Sequence, residues 1–188
     1  MADGSAEALA EHLELARRME QLLPQVDAAA EAIVHAYEGD HRVVTFGNGG
    51  SAADSMHFAE ELVARFKRER RPLAAQSLAA DSTALTCIAN DYEYDEIFAR
   101  QVRAFVRTGD VAIGFTTSGR SESVVRALAA AREQGAVTIL FGGGEGQPAA
   151  THADHALVVP SSSTARVQEM HVLMLHLMLE QVDAWAAQ

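Results

Sequence analysis

Twice in this chain a short β-rich run ends in a turn of small and hydroxyl-bearing residues that leads directly into a helix, and this repeated unit restricts the fold more than any other feature. The first unit is Arg42-Val-Val-Thr-Phe-Gly47, then Gly47-Asn-Gly-Gly-Ser51, then a helical pattern over Ser51 to Leu62. The second is Asp110 to Thr116, the turn Thr117-Ser-Gly-Arg-Ser121, and an Ala-rich helix from Glu122 to Gln134. A third strand, Ala136 to Phe141, ends in Gly142-Gly-Gly144; weaker strands are predicted over Ala74 to Leu78 and His155 to Pro160. Two helices, Ala6 to Leu23 and Val26 to Tyr37, are predicted ahead of the sheet with Pro24 between them, and a long helix, Thr164 to Trp185, after it. Such alternation predicts an α/β fold: a three-layer sandwich with a five-stranded parallel sheet flanked by helices, formed by residues 1–188 as one domain. In sheets of this kind ligands bind beyond the carboxyl ends of the strands, where both turns lie.

The formal charge of −11 and pI near 5.1 oppose long-range attraction to nucleic acid or an anionic membrane, so an anionic ligand needs local donors. The opening residues are acidic and periodic, unlike a signal peptide, and no run is long enough to span a bilayer, so a soluble cytoplasmic protein is expected. The single Cys87 excludes an internal disulfide and a cysteine zinc cage; lying in the apolar run Ala84 to Ala89, it is expected in the core.

In the first turn Gly49 and Gly50 let the backbone approach an anion, and Ser51 can cap the following helix or donate to a phosphate oxygen at its positive end. The second turn gathers the hydroxyls of Thr116, Thr117, Ser118 and Ser121 beside Gly119, where capping requires one. Two hydroxyl-rich turns without a GxGxxG fingerprint favour a phosphate ester over a dinucleotide.

On the first crossover helix His57 and Glu61 stand four residues apart, on one face and about 6 Å from each other along the axis. That pair suits a zinc-like ion, a proton transfer at a sugar carbon, or a surface ion pair. The last helix is apolar nearly all round after Gln168, as in a core or a subunit interface, and His171 and His176 interrupt it. Each is a satisfied core histidine or a functional group. Measured from Gln168, His176 lies ~80° to one side and His171 ~60° to the other, while Gln168 and His176 are ~12 Å apart along the axis. Spacing alone does not unite Gln168 and His176 in one site.

Gly47-Asn-Gly-Gly-Ser51 running into Met56-His-Phe-Ala-Glu-Glu61 closely resembles the phosphoheptose isomerases of the sugar isomerase (SIS) domain superfamily. Ala89-Asn-Asp91 with Asp95-Glu-Ile-Phe98, Thr117-Ser-Gly119 with Ser121, and Arg166-Val-Gln-Glu-Met-His171 with His176 extend the resemblance over nearly the whole chain. It implies a flavodoxin-like SIS fold with the long C-terminal helix in the oligomer core. It also implies conversion of sedoheptulose 7-phosphate to D-glycero-D-manno-heptose 7-phosphate, and a homotetramer with active sites between subunits.

By position, the resemblance makes His57, Glu61, Gln168 and His176 ligands of one zinc per subunit, with Glu61 and His176 also the proton-transfer pair. Ser51, Thr117, Ser118 and Ser121 fall on phosphate-binding positions, and Asn48, Arg65 and Asp91 on positions that hold the sugar. Ala165 stands where well-known members carry Asp. The competing expectation is a non-catalytic SIS-domain binding protein such as a replication-initiator-associating protein. Those relatives share Gln-Glu-Met-His but lack the second acid of His-Phe-Ala-Glu-Glu and the last His.

Overall fold

A computed structural model describes residues 3–188. Its frame is a parallel sheet of β1 (Val43–Gly47), β2 (Ala75–Ser77), β3 (Val111–Thr116), β4 (Val137–Gly143) and β5 (His155–Val159), in the order β2-β1-β3-β4-β5. This is the flavodoxin-like order, in which the chain reverses direction of growth between β1 and β3. The three central strands are almost wholly buried, which explains why they read as mainly apolar runs.

Alternation along each strand divides the core into two layers. Val43, Ile113, Phe115, Ile139 and Phe141 face α2 (Leu23–Glu38), α3 (Gly50–Val63) and α7 (Thr164–Ala186), joined by Ile33, Phe58 and Met174. Phe115 and Phe141, paired in register, stack at 4.4 Å between ring centroids, with Phe58 against both. Val44, Phe46 and Leu140 point the other way, toward Val102 of α5 (Ala99–Phe105) and Leu128 of α6 (Glu122–Glu133).

The helix expected to end at Leu23 stops earlier: α1 covers Asp3–Arg18, and a 3₁₀ turn over Met19–Leu22 leads into α2. Pro24 therefore sits in the first turn of α2, where a missing N–H removes no helical bond.

One expectation is corrected. Cys87 is exposed, because Ala84 to Ala89 belongs to a helix, α4 (Ser82–Asp91), whose only buried residue is Ile88. A surface helix buries one stripe, so an apolar run within it need not be core. Asp81 caps α4, accepting from the backbone N–H groups of Thr83 and Ala84 at 2.9 and 3.1 Å. Among the described residues no helix is long and apolar enough to cross a membrane.

Candidate active site

Both hydroxyl-rich turns sit at the carboxyl edge of neighbouring strands, flanking the switch point between β1 and β3. Gly49 (φ 57°, ψ −121°) occupies a conformation that side chains resist, and it turns the chain into α3. Neither α3 nor α6 has a side-chain cap: Gly49 has no side chain, and Ser121, at the start of α6, makes no capping bond. Two positive helix ends are thus left open toward the crevice. The Thr116 hydroxyl lies 3.2 Å from that of Ser121 and 3.5 Å from that of Ser118, so the second turn holds a cluster of hydroxyls not committed to the helix. Ser51 is buried one residue into α3.

His57 Nε2 and Glu61 Oε1 are 3.5 Å apart, both partly shielded from water. His176 meets this pair from α7: its ring is edge-on to His57 at 5.3 Å and stacks on Phe66 at 5.6 Å. Burial, and then the neighbouring His57, lower the pKa of His176, which keeps the imidazole neutral near pH 7. Gln168, on the same helix, packs at Gly50, where an added Cβ would stand only 2.1 Å from its Nε2. These two contacts show α7 running beside α3 in the same direction, with Gln168 at the turn end of the groove and His176 about two turns further along.

The last imidazole, His171, takes the core alternative. It is fully buried against Phe115 and Phe141, and its Nε2–H donates to the Gly142 carbonyl at 3.0 Å. Burial drives its pKa down to about 4.

The remaining expected residues are more dispersed. α3 ends at Val63, so Arg65 lies beyond the helix and turns to Glu69 at 3.9 Å. Asp91 is exposed at the end of α4, accepting from Asn90 and Cys87. Asn48 donates to Ser123 and accepts from Tyr94. Thr117 is half-buried, and Ala165 is exposed at the start of α7.

The structure adds a residue that sequence reasoning passed over. Asp54 lies one turn before His57, and its Oδ2 is buried without a partner. Burial raises its carboxyl pKa to about 6 against the pull of His57. The spacing of Asp54 to His57, three residues on one helix face, was the available signal.

The groove between α3 and α7 offers the donors of a metal site. Two imidazoles and a carboxylate converge there, the donor set that zinc takes, and His57, Glu60 and Glu61 can each bring a ligand atom within 4.8 Å of the others. Beside them the buried Oδ2 of the partly buried Asp54 has no hydrogen-bond partner. His57, Glu61 and His176 fit a divalent metal, while Gln168 stays at the turn beside Gly50.

The SIS domain family model matches residues 9–143. A phosphoheptose isomerase from Paramagnetospirillum magneticum is 50% identical over 157 residues, 84% of this chain and 82% of that one. The chain belongs to the phosphoheptose isomerase family. Two structures of phosphoheptose isomerases carry the match through α7, beyond the residues of the SIS domain match. That from Neisseria gonorrhoeae superposes with a TM-score of 0.92 at 38% identity, covering 97% of this chain and 98% of that one. That from Francisella tularensis gives 0.94 at 30% identity, with the same coverage. The expected fold, a parallel five-stranded sheet with a long C-terminal helix, is that of the family.

Proposed function

We propose that the protein is an aldose–ketose isomerase converting D-sedoheptulose 7-phosphate to D-glycero-D-manno-heptose 7-phosphate, the first step toward nucleotide-activated heptoses. The observation that carries this reading is the convergence of His57, Glu61 and His176 within one chain, beside two uncapped helix ends lined with hydroxyls. Phosphoheptose isomerases at up to 50% identity support the choice of sugar.

The phosphate is held at Ser51, Thr116, Thr117, Ser118 and Ser121 by hydroxyls and by the open amides of α3 and α6, which supply positive potential that an acidic protein otherwise lacks. Asn48, Gly49, Gly50, Asp91 and Arg65 hold the sugar chain. Glu61 removes the proton from C1 of the open ketose, generating a cis-enediolate, and returns it at C2. His176, neutral and therefore able both to accept and to donate, moves the proton between O1 and O2. His57, Glu61, Gln168 and His176 are the residues that would hold one zinc per subunit. Bound there, zinc supplies Lewis-acid polarisation of the substrate oxygens and lowers the barrier to removing the C1 proton.

The same reading includes a homotetramer with active sites between subunits and a cytoplasmic location, where a phosphorylated sugar is available. The partly exposed Leu173 and Leu177 of α7, with Met56 and Val63 exposed on α3, support a second copy packing along this groove.

The test is incubation of the purified protein with sedoheptulose 7-phosphate, with and without chelator, following aldose by NMR. Product that disappears with chelator and returns with zinc is expected. Absence of product at every metal loading overturns the proposal.

A further inference from the structure

We infer that Tyr94 is a positioning residue for the sugar phosphate, acting through Asn48; the inference rests on the proposed isomerase reading. Tyr94 Oη donates to Asn48 Oδ1 at 2.8 Å, and Asn48 Nδ2 donates to Ser123 Oγ at 2.9 Å. This chain of two bonds joins three separate segments at the carboxyl edge of the sheet. Asn48 follows β1, Ser123 is the buried second residue of α6, and Tyr94 begins a 3₁₀ turn over Tyr94–Glu96. The amide is thereby held across the crevice between the two phosphate-type turns, leaving one N–H and one oxygen lone pair free to meet substrate.

Two further observations make Tyr94 the group that sets this geometry. Its segment is anchored independently of Asn48: Arg126 of α6 pairs with Glu93 and Glu96, and Arg103 binds Glu96 at 2.8 Å. The phenol is therefore presented from an arm clamped to α6. Beside it lies a cavity of about 210 Å³ whose walls include Leu85, Ala89, Ile97 and Phe98. The other hydroxyl lining this cavity, that of Thr86, donates back to the Ser82 and Thr83 carbonyls of its own helix. Without the Tyr94 hydroxyl, Asn48 Oδ1 faces an apolar wall or water, and the amide is tethered at one end.

Asn48 stands at the turn, away from the His57–Glu61 pair two turns along α3, so its contact with substrate does not change as the reaction proceeds. Removing the Tyr94 hydroxyl then weakens binding of substrate and transition state alike, which raises KM and spares kcat. The experiment is a double-mutant cycle of Tyr94→Phe and Asn48→Ala, read as steady-state kinetics on sedoheptulose 7-phosphate alongside thermal melting. For Tyr94→Phe we expect KM to rise about 3- to 10-fold, the range of one net hydrogen bond, with kcat within about twofold and an unchanged melting temperature. In the double variant the tyrosine change adds nothing to the effect of Asn48→Ala. A wild-type KM for Tyr94→Phe, or two effects that multiply, overturns the inference. If the wild-type protein fails to turn the ketose over, the isomerase reading falls separately. The cycle is then read as calorimetric affinity for the same sugar phosphate, and wild-type affinity in Tyr94→Phe again overturns the role given to Tyr94.

Discussion

Replacing Gly50 by alanine separates the placement of Gln168 from the stability of the fold. The new Cβ would lie 2.1 Å from Gln168 Nε2, 3.0 Å from its Cδ and 3.3 Å from its Oε1. To regain ordinary contact the amide tip has to retreat by roughly 1.3 Å. All three atoms belong to the far end of a flexible side chain, so the backbone need not move. Gly50 opens α3 without a positive φ, so alanine there is compatible with the helix and stabilises by about 0.4–1 kcal/mol through the unfolded state. In a chain of this length the melting temperature is unchanged or up by about 1–4 °C. A shift of about 1 Å in a positioned group lowers turnover by about 10²-fold. Gly50→Ala should therefore melt no lower than wild type, lose about two orders of magnitude in kcat/KM, and bind zinc more weakly in competition with a chromophoric chelator. Gln168→Ala should match it in zinc affinity. Wild-type zinc affinity and turnover in Gly50→Ala would refute Gln168 as a group that must be held at this turn; so would a loss of activity fully accounted for by a lower melting temperature.

Stability should also depend on pH through His171. Its folded pKa of about 4 lies below the ordinary value of 6.5, so the unfolded chain binds the proton first as the solution is acidified. This contribution is complete above pH 6.5 and is lost as pH falls toward 4, by up to about 3 kcal/mol. Urea midpoints measured across that window should flatten in His171→Asn relative to wild type. Asp183 and Arg70 form an ion pair buried on both sides, with Arg68 also on Asp183, and Asp183→Ala leaves the guanidinium uncompensated. A loss of about 3–5 kcal/mol is expected, measured by denaturant unfolding. Asp54→Asn removes a partly buried carboxyl group, one turn before His57, whose Oδ2 has no donor and whose pKa burial raises to about 6. Zinc affinity should fall about 10- to 100-fold while the unfolding midpoint holds or rises; unchanged affinity would detach Asp54 from the metal site.

Much of this was legible in the linear chain because its determinants are local. Strands buried on both faces are mainly apolar, so Arg42 to Gly47, Asp110 to Thr116 and Ala136 to Phe141 were marked by composition and the turns after them by glycine and hydroxyl residues, although β4 itself runs on through Gly142 and Gly143. α4 escaped notice because it buries only Ile88, giving little periodicity to detect, although Asp81 before Ser82 and Thr83 offered a cap signal. His57 and Glu61 were paired by helical geometry alone, since four residues on one helix fix their separation wherever that helix packs. No such rule governs residues on different helices. His176 reaches His57, Gln168 reaches Gly50, and Tyr94 reaches Asn48 only because the cores on the two faces of the sheet set how α7 lies along α3 and how the Tyr94 arm lies on α6. Local signals in the chain mark the strands, the hydroxyl-rich turns and the His57–Glu61 pair, whereas the pairing of the strands, Val43 of β1 beside Val111 of β3, already depends on long-range contacts. The meeting of that pair with α7, and the burial that leaves Asp54 unpartnered and His176 neutral, were decided by tertiary packing, because desolvation depends on what the rest of the chain places against a group.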